Sequence, residues 1–346
     1  MPRRRCALVG CGFFADNHLH AWDELRDRVE LVAVCDLDER KAVSAQKRFG
    51  VPVAYTDVAE MLGREALDFV DVATTAPSHR EIVEACAEAG LAAIVQKPLA
   101  PSWEDAVAIV TAMRNANRPL MVHENFRFQA PLRRASDLFR AGNIGDAVWG
   151  RFSFRTGFDI YAKQPYLAEV ERFIILDLGI HVLDVARVFM GEVESVYCQT
   201  QSIRPGIKGE DTATMMLRHV NGAASIVDVS YASRQTPDPF PQTLIHLEGT
   251  GGSIRLDYGF RLTMTALAGA QSELVLPAPH VWTAEPWVLT QDSVVSIQRH
   301  WLDCLDSGAE AYTSGFDNLK TFALVEAAYR SAASGMPVVP AKGPNP

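Results

Sequence analysis

Two sets of residues in this chain have types and spacings that could do chemistry. The first is in "LDLGIHVLDVAR" (176–187), which otherwise reads as a buried apolar helix but carries Asp177, His181 and Asp184. On a helix these stand at i, i+4 and i+7, so they share one face. A polar face on an apolar helix needs a partner: another subunit, a metal or a substrate. The second set is "VGCGFFA", with Gly10, Gly12 and Ala15 in the G-x-G-x-x-G/A spacing between a strand and a helix. There the first glycine makes a tight turn, the second lets backbone N–H groups approach a pyrophosphate, and the helix N-terminus favours negative charge. Asp36 closes "LVAVCD", 21 residues after Ala15. A carboxylate at that place accepts hydrogen bonds from a ribose 2′-hydroxyl and repels a 2′-phosphate, so NAD is expected, with NADP as the alternative.

The elements that would position these groups show two rhythms. Residues 1–125 alternate short β-branched runs ("CALVG", "LVAVCD", "FVDVAT", "AAIVQK", "LMVHEN") with helical runs ("ERKAVSAQKRFG", "HREIVEACAEAG", "SWEDAVAIVTAMRNAN"). That is the pattern of a parallel sheet wrapped by helices. After one more helix, "PLRRASDLFRAG", residues 126–346 change to strand-like runs joined by short turns ("AVWGRFSFRTGF", "ATMMLRH", "AASIVDVSYA", "QTLIHLEG", "GSIRL"). These predict an antiparallel sheet, interrupted by the helix at 176–187 and followed by helices near 293–306 and 317–334. The fold class is therefore α/β: an N-terminal doubly wound Rossmann sheet, then a C-terminal α+β domain with a large, mostly antiparallel, open-faced sheet. No repeats occur, and the one biased tract is the tail "AKGPNP".

Composition narrows the function. The chain has 346 residues, enough for two domains, with 48% hydrophobic and 22% charged residues, which suits a soluble globular protein. A formal charge of −9 argues against nucleic acid or an anionic membrane surface as partner. No apolar run reaches the roughly 18 residues of a membrane helix. "MPRRRCALVGCGFFA" imitates a secretory signal but lacks a small-residue cleavage site, and a strand and turn explain it better. The six cysteines lie far apart with no C-x-x-C, so they read as reduced core residues of a cytoplasmic protein. Asp, His and Asp at helical spacing would suit zinc or manganese. The other histidines (His18, His20, His79, His123, His219, His246, His280 and His300) form no second paired motif, so no metal is expected. His18 and His20 read as partly exposed or packing residues, and Trp282 and Trp287 as packing or interface groups.

Lys97, in "VQKPLA", lies where ligands of open α/β sheets gather, at a strand's carboxyl end. Position alone leaves open a solvated loop lysine. The glycine turn, "TTAPSH" (74–79), "QKP" (96–98), "HENFRF" (123–128) and D-x-x-x-H at Asp177 and His181 occur together in this order. By these motifs the chain resembles the glucose-fructose oxidoreductase, inositol dehydrogenase and MocA family of nicotinamide-dependent sugar and polyol dehydrogenases, over almost its whole length. The resemblance implies that Lys97 matches the lysine of the family's E-K-P motif, which serves catalysis and the nicotinamide site. It implies that Asp177 and His181 match the family's aspartate and histidine. Gly10, Gly12, Phe13, Phe14, Asp36, Thr74, Thr75, Ser78, His79, Gln96 and Lys97 would line the cofactor. Two departures stand out: Gln96 replaces the usual glutamate, and Arg172 and Phe173 stand where many members have glycines.

Moving a hydride from a carbinol carbon to nicotinamide requires the hydroxyl proton to leave at nearly the same time. His181 is then the expected general base, Asp177 orients its ring, and Lys97 donates a hydrogen bond to the reacting oxygen. Asp184 is expected to pair with a basic side chain or cap a neighbouring element. Asn125, Arg127 and Tyr166 are candidate binders of substrate hydroxyls. The motifs "GFFADNHLHAW", "QKP", "HENFRF" and "RFIILDLGIH" look most like members that oxidise a branched aldose at C1 to its lactone. An inositol or polyol dehydrogenase and a non-catalytic dinucleotide or sugar sensor are the alternatives, and a sensor has no need for a base. The family expectation is a homodimer or homotetramer formed through the open face of the C-terminal sheet.

Overall fold

The structure is a computed structural model of the chain and describes residues 3–344. The end of the "AKGPNP" tail lies outside the described residues. Backbone contacts divide the chain into two compact units. The first holds the chain through Asn125, Ser293–Leu319 and the segment from Gly343; the second holds Phe126–Asp292 and Lys320–Lys342.

In the first unit, six parallel strands form one sheet: β1 (Arg4–Val9), β2 (Val29–Cys35), β3 (Val53–Tyr55), β4 (Phe69–Val72), β5 (Ala92–Gln96) and β6 (Leu120–His123). Their order is β3-β2-β1-β4-β5-β6, so the order reverses between β1 and β4, where doubly wound sheets bind ligands. Helices α1 (Ala15–Glu24), α2 (Glu39–Phe49), α3 (Val58–Arg64), α4 (His79–Glu88) and α5 (Trp103–Asn115) connect the strands. Strands β4, β5 and β6 are buried at every residue, which is why they read as unbroken apolar runs rather than alternations. Local signals set the helix limits. Asp38, Asp57 and Ser102 cap α2, α3 and α5 with side-chain oxygens, and Gly50 ends α2 at φ +65°. Strand β3 was not among the five expected, because three residues cannot display an alternation.

The chain later returns to complete this unit. Helix α8 (Val288–Ser307) brings Trp301, 0% exposed, edge-on to Phe69 with ring centroids 5.9 Å apart. Beyond it, the Val122 N–H donates to the Thr313 carbonyl at 2.8 Å and the Thr313 hydroxyl to the Val122 carbonyl at 2.7 Å. Arg28 reaches Asp303 at 2.7 Å and Asp306 at 2.8 Å. The sequence places this segment in the half from 126 onward; its apolar side chains find their partners on the parallel sheet instead.

The second unit is built on eight strands: β7 (Ala147–Arg155), β8 (Val193–Gln201), β9 (Thr212–His219), β10 (Ala224–Ser230), β11 (Leu244–Gly249), β12 (Gly252–Asp257), β13 (Arg261–Ala266) and β14 (Gly269–Leu274). Their order is β14-β13-β12-β11-β7-β10-β9-β8, antiparallel except for the parallel pair β7–β10. Period-two burial is clear in β9, where Ala213, Met215 and Leu217 are buried and Thr214, Met216 and Arg218 are exposed. Before the sheet comes α6 (Ala130–Arg140), and α7 (Ile180–Met190) packs on β7 and β10, with Phe189 against Phe152 and Phe139. Helix α9 (Gly315–Ser334) follows α8 in the chain. Strands β8, β13 and β14 were not expected; β14 is exposed at every residue and has no apolar face to betray it. Among the described residues no helix is long and apolar enough to cross a membrane.

Trp301 tests whether the returning segment is part of the first core. Trp301→Ala should lower the unfolding free energy by about 3–5 kcal/mol in urea denaturation. A loss below about 1 kcal/mol, the size of an ordinary surface change, would show that the segment is peripheral.

Candidate active site

The phosphate turn is built as its glycines require. Gly10 has φ +95°, and a Cβ there would lie 2.8 Å from the backbone of Ala73 and Thr74, so only glycine lets the turn lie against the loop after β4. A Cβ on Gly12 would meet nothing within 4 Å, which leaves that side of the turn open to a ligand. No side chain caps α1, and the positive end of its dipole favours phosphate oxygens there. Asp36 accepts the Cys11 N–H at 2.7 Å through one oxygen and the Asp38 N–H at 2.8 Å through the other, which ties the end of β2 to the turn. Its remaining lone pairs can still accept ribose hydroxyls. A cleft of about 330 Å³ beside it is lined by Gly12, Asp16, Asp38, Arg40, Lys41 and Arg48 among others. Arg40 pairs with Asp38 at 3.1 Å and Arg48 with Asp16 at 2.7 Å, so these cations are already matched. Cys11 is not a core residue; it is half-buried in the turn, and burial with the Asp36 charge pushes its thiol up to about 12. These groups fit a dinucleotide.

Phe13 is 55% exposed, whereas Phe14 turns inward, edge-on to His18 at 5.6 Å. In the second loop the Ser78 hydroxyl donates to Thr74 Oγ1 at 2.8 Å, and Thr75 is exposed. His79 differs from a ligand-facing residue. It is 1% exposed, with Nδ1 3.1 Å from the Leu99 carbonyl and Nε2 3.1 Å from the Thr74 carbonyl. Burial lowers its pKa, and its ring clamps two loops together.

Behind Lys97 is a cluster that the sequence reading missed. His18 is not partly exposed: it is 0% exposed, with Nδ1 2.9 Å from Asp71, itself 0% exposed. Trp22 Nε1 donates to the same carboxylate at 2.7 Å. The other ring nitrogen of His18 is 3.1 Å from Gln96 Nε2, and Gln96 Oε1 accepts the Lys97 N–H at 2.6 Å. The available signals were a lone carboxylate inside the apolar run "FVDVAT" and the i, i+4 pair His18 and Trp22 on α1.

In the second unit the candidate helix is not a plain α-helix. Ile175–Gly179 form a π turn that runs into α7, so Asp177 and His181 are separated by a wider turn than α spacing gives. Such turns are frequent at functional sites. Glu210, 8% exposed, anchors it by accepting the Phe173 and Ile175 N–H groups, each at 3.2 Å, and the Tyr329 hydroxyl at 2.7 Å. A Cβ on Gly209 would come within 2.7 Å of the Val170 carbonyl oxygen, so the segment carrying Glu210 can approach only with glycine there. Arg172, one of the two family departures, lies over the Tyr329 ring at 4.2 Å and pairs with Glu326. Phe173, the other, stacks on Tyr231 at 5.8 Å. Burial and the Asp177 carboxylate raise the pKa of the Tyr231 phenol. His181 is 5% exposed and lies parallel to Phe126, with ring centroids 4.0 Å apart.

The remaining candidates divide. Tyr166 is 55% exposed and donates to Gln164 at 3.0 Å. Asn125, 3% exposed, donates to the Ser293 hydroxyl at 2.7 Å. Arg127 forms a two-point pair with the buried Asp184, which also accepts from Thr321 at 2.7 Å, so the expected basic partner of Asp184 is Arg127 itself. Trp287 packs edge-on against Phe158 and Phe240. Among the described residues no three His, Cys, Asp or Glu side chains are grouped so as to hold a metal ion.

A reversing parallel sheet, a glycine turn at its switch point and an acidic β2 terminus define a dinucleotide-binding oxidoreductase. Comparison with known proteins fixes the family. Residues 4–124 match the oxidoreductase family with an NAD-binding Rossmann fold, and residues 132–255 match the GFO/IDH/MocA C-terminal domain. The chain is 50% identical to a D-apiose dehydrogenase of Rhizobium rhizogenes, covering 98% of each chain. It is 51% identical to a D-apiose dehydrogenase of Paraburkholderia graminis, covering 98% of this chain and 90% of that one. A solved oxidoreductase from Agrobacterium radiobacter, in complex with NAD+, L-tartaric acid and magnesium, superposes with a TM-score of 0.96 at 50% identity over 98% of each chain. The chain belongs to the glucose-fructose oxidoreductase, inositol dehydrogenase and MocA family, and its first unit is an NAD-binding domain.

Arg127 can be tested apart from any substrate. Leaving Asp184 buried with its main partner gone should cost about 3–5 kcal/mol, so Arg127→Leu should unfold at markedly lower urea. Unchanged stability with a raised KM for sugar would return Arg127 to the substrate site.

Proposed function

We propose that this enzyme oxidises D-apiose at C1 to its lactone with NAD as acceptor, the lactone then hydrolysing to the acid. The observation that carries the reading is identity of about half over nearly the whole chain to two D-apiose dehydrogenases, together with the full set Lys97, Asp177 and His181. NAD, when bound, accepts the hydride that leaves C1. His181 takes the C1 hydroxyl proton, and its parallel contact with Phe126 places the forming imidazolium over a ring face, a favourable cation–π arrangement. Asp177 stabilises that imidazolium. Lys97 donates a hydrogen bond to the reacting oxygen. Tyr166 and Asn125 supply donors and acceptors for the other hydroxyls, and rejection of sugars lacking those hydroxyls follows from leaving such groups unmatched.

Asp36 favours NAD over NADP because it faces the ribose with a negative charge, and the neighbouring Arg40 and Arg48 are occupied by Asp38 and Asp16. The first unit, completed by Ser293–Leu319, holds the cofactor and supplies Lys97, and the second unit serves the sugar and self-association. The alternating exposed residues of β9, with Met216 57% exposed, favour a homodimer or homotetramer through the open sheet face. Six unbridged cysteines fit a cytoplasmic site of action.

Product analysis decides the reaction. NMR under mildly acidic conditions should show a lactone accumulating with NADH from D-apiose, and Lys97→Met should lose turnover while keeping NAD affinity. A ketose or inosose product would move the enzyme to the polyol branch; tight NAD binding with no product from any sugar or polyol would favour a sensor.

A further inference from the structure

The cluster behind Lys97 has a single self-consistent hydrogen-bond arrangement. The Lys97 N–H can only donate, so the Gln96 atom 2.6 Å away must be its carbonyl oxygen, which leaves the Gln96 amide NH2 facing His18 Nε2 at 3.1 Å. An NH2 can only donate, so Nε2 must accept and carry no hydrogen. The His18 proton is therefore on Nδ1, donated to Asp71 at 2.9 Å. Groups facing His18 from every side are consistent with this. Asp71 on β4 also accepts from Trp22, Gln96 is on β5, and the His123 ring on β6 stacks at 4.1 Å. Phe14 stands edge-on, and Gln298 of α8 donates to the His18 carbonyl at 3.4 Å.

We propose that Asp71, His18 and Gln96 form a buried positioning relay that fixes the main chain at Lys97, with His18 working as a neutral, Nδ1-protonated imidazole. The relay joins β4, β5 and α1 to the residue whose ammonium must meet the reacting oxygen, and both His18 and Asp71 are sealed from solvent. Its catalytic consequence rests on the role of Lys97 given above, whereas its protonation pattern does not. A carboxylate at position 96 could bind His18 only if Nε2 were protonated, so Gln96→Glu should convert His18 to the doubly protonated form.

The test uses the intact protein with 15N-labelled histidine. NMR of the imidazole nitrogens at pH 7.5 should show His18 as one neutral Nδ1–H tautomer, and Gln96→Glu should show both nitrogens protonated. A doubly protonated or Nε2–H wild-type ring would overturn the arrangement, and this reading needs no variant to fold. His18→Asn keeps a donor toward Asp71 but offers no matched acceptor to Gln96. It should lower kcat on the order of 10- to 100-fold with NAD affinity preserved, as small misplacements of a reacting group do. Unchanged kcat in His18→Asn while Lys97→Met is inactive would refute positioning; turnover retained in Lys97→Met would instead refute the role of Lys97 and leave the NMR result to decide the relay.

Discussion

A carboxylate sealed from water must take every hydrogen bond from the protein, and both units are organised around one that does. In the second unit it is Asp184, fully buried and held by Arg127 and Thr321, with Arg187 at 3.8 Å. Removing a donor strands the charge, so the partners are confined to one geometry. Asp184 lies three residues beyond His181 on α7, so fixing one fixes the other. In the first unit Asp71 plays the same part, gathering His18 and Trp22 from α1 onto the middle of the parallel sheet.

The remaining structure sets these anchors against functional groups that must stay precisely aimed yet open to ligands. The glycine turn passes close under the loop after β4, no side chain caps the start of α1, and Asp36 holds the turn from the side by accepting the Cys11 N–H. The π turn before α7 is a comparable exception in the second unit. It departs from regular helix spacing where Asp177 falls, and Glu210 accepts two of the N–H groups at its start. Regular packing elsewhere, such as Phe189 against Phe152, is what allows irregular backbone at these two places.

Periodicity made most of the fold legible. The apolar runs at β1, β2, β4, β5 and β6 and the glycine spacing led directly to the parallel sheet and its switch point. What escaped had no periodic signature: β3 is three residues long, and β14, "GAQSEL", is exposed throughout. Site residues were legible as motifs but not as environments. Asp177 and His181 have the same sequence separation in an α or a π turn, so only coordinates distinguish the two. His18 and Asp71 are 53 residues apart, and the burial that makes their pairing matter comes from elements such as β6 and the returning α8, which no local window contains. The same blindness hid the partner of Arg127, because Asp184 lies 57 residues on.

The central claim is direct transfer of the C1 hydrogen of D-apiose to the cofactor, with the proton taken by the protein. The most direct measurement follows deuterium from D-apiose labelled at C1, incubated with the enzyme and NAD, by NMR of the reduced nicotinamide. The account predicts that the label appears at the nicotinamide C4 position on one face only, with slowed turnover relative to unlabelled sugar. Reduced cofactor without label, or label lost to water, would contradict it.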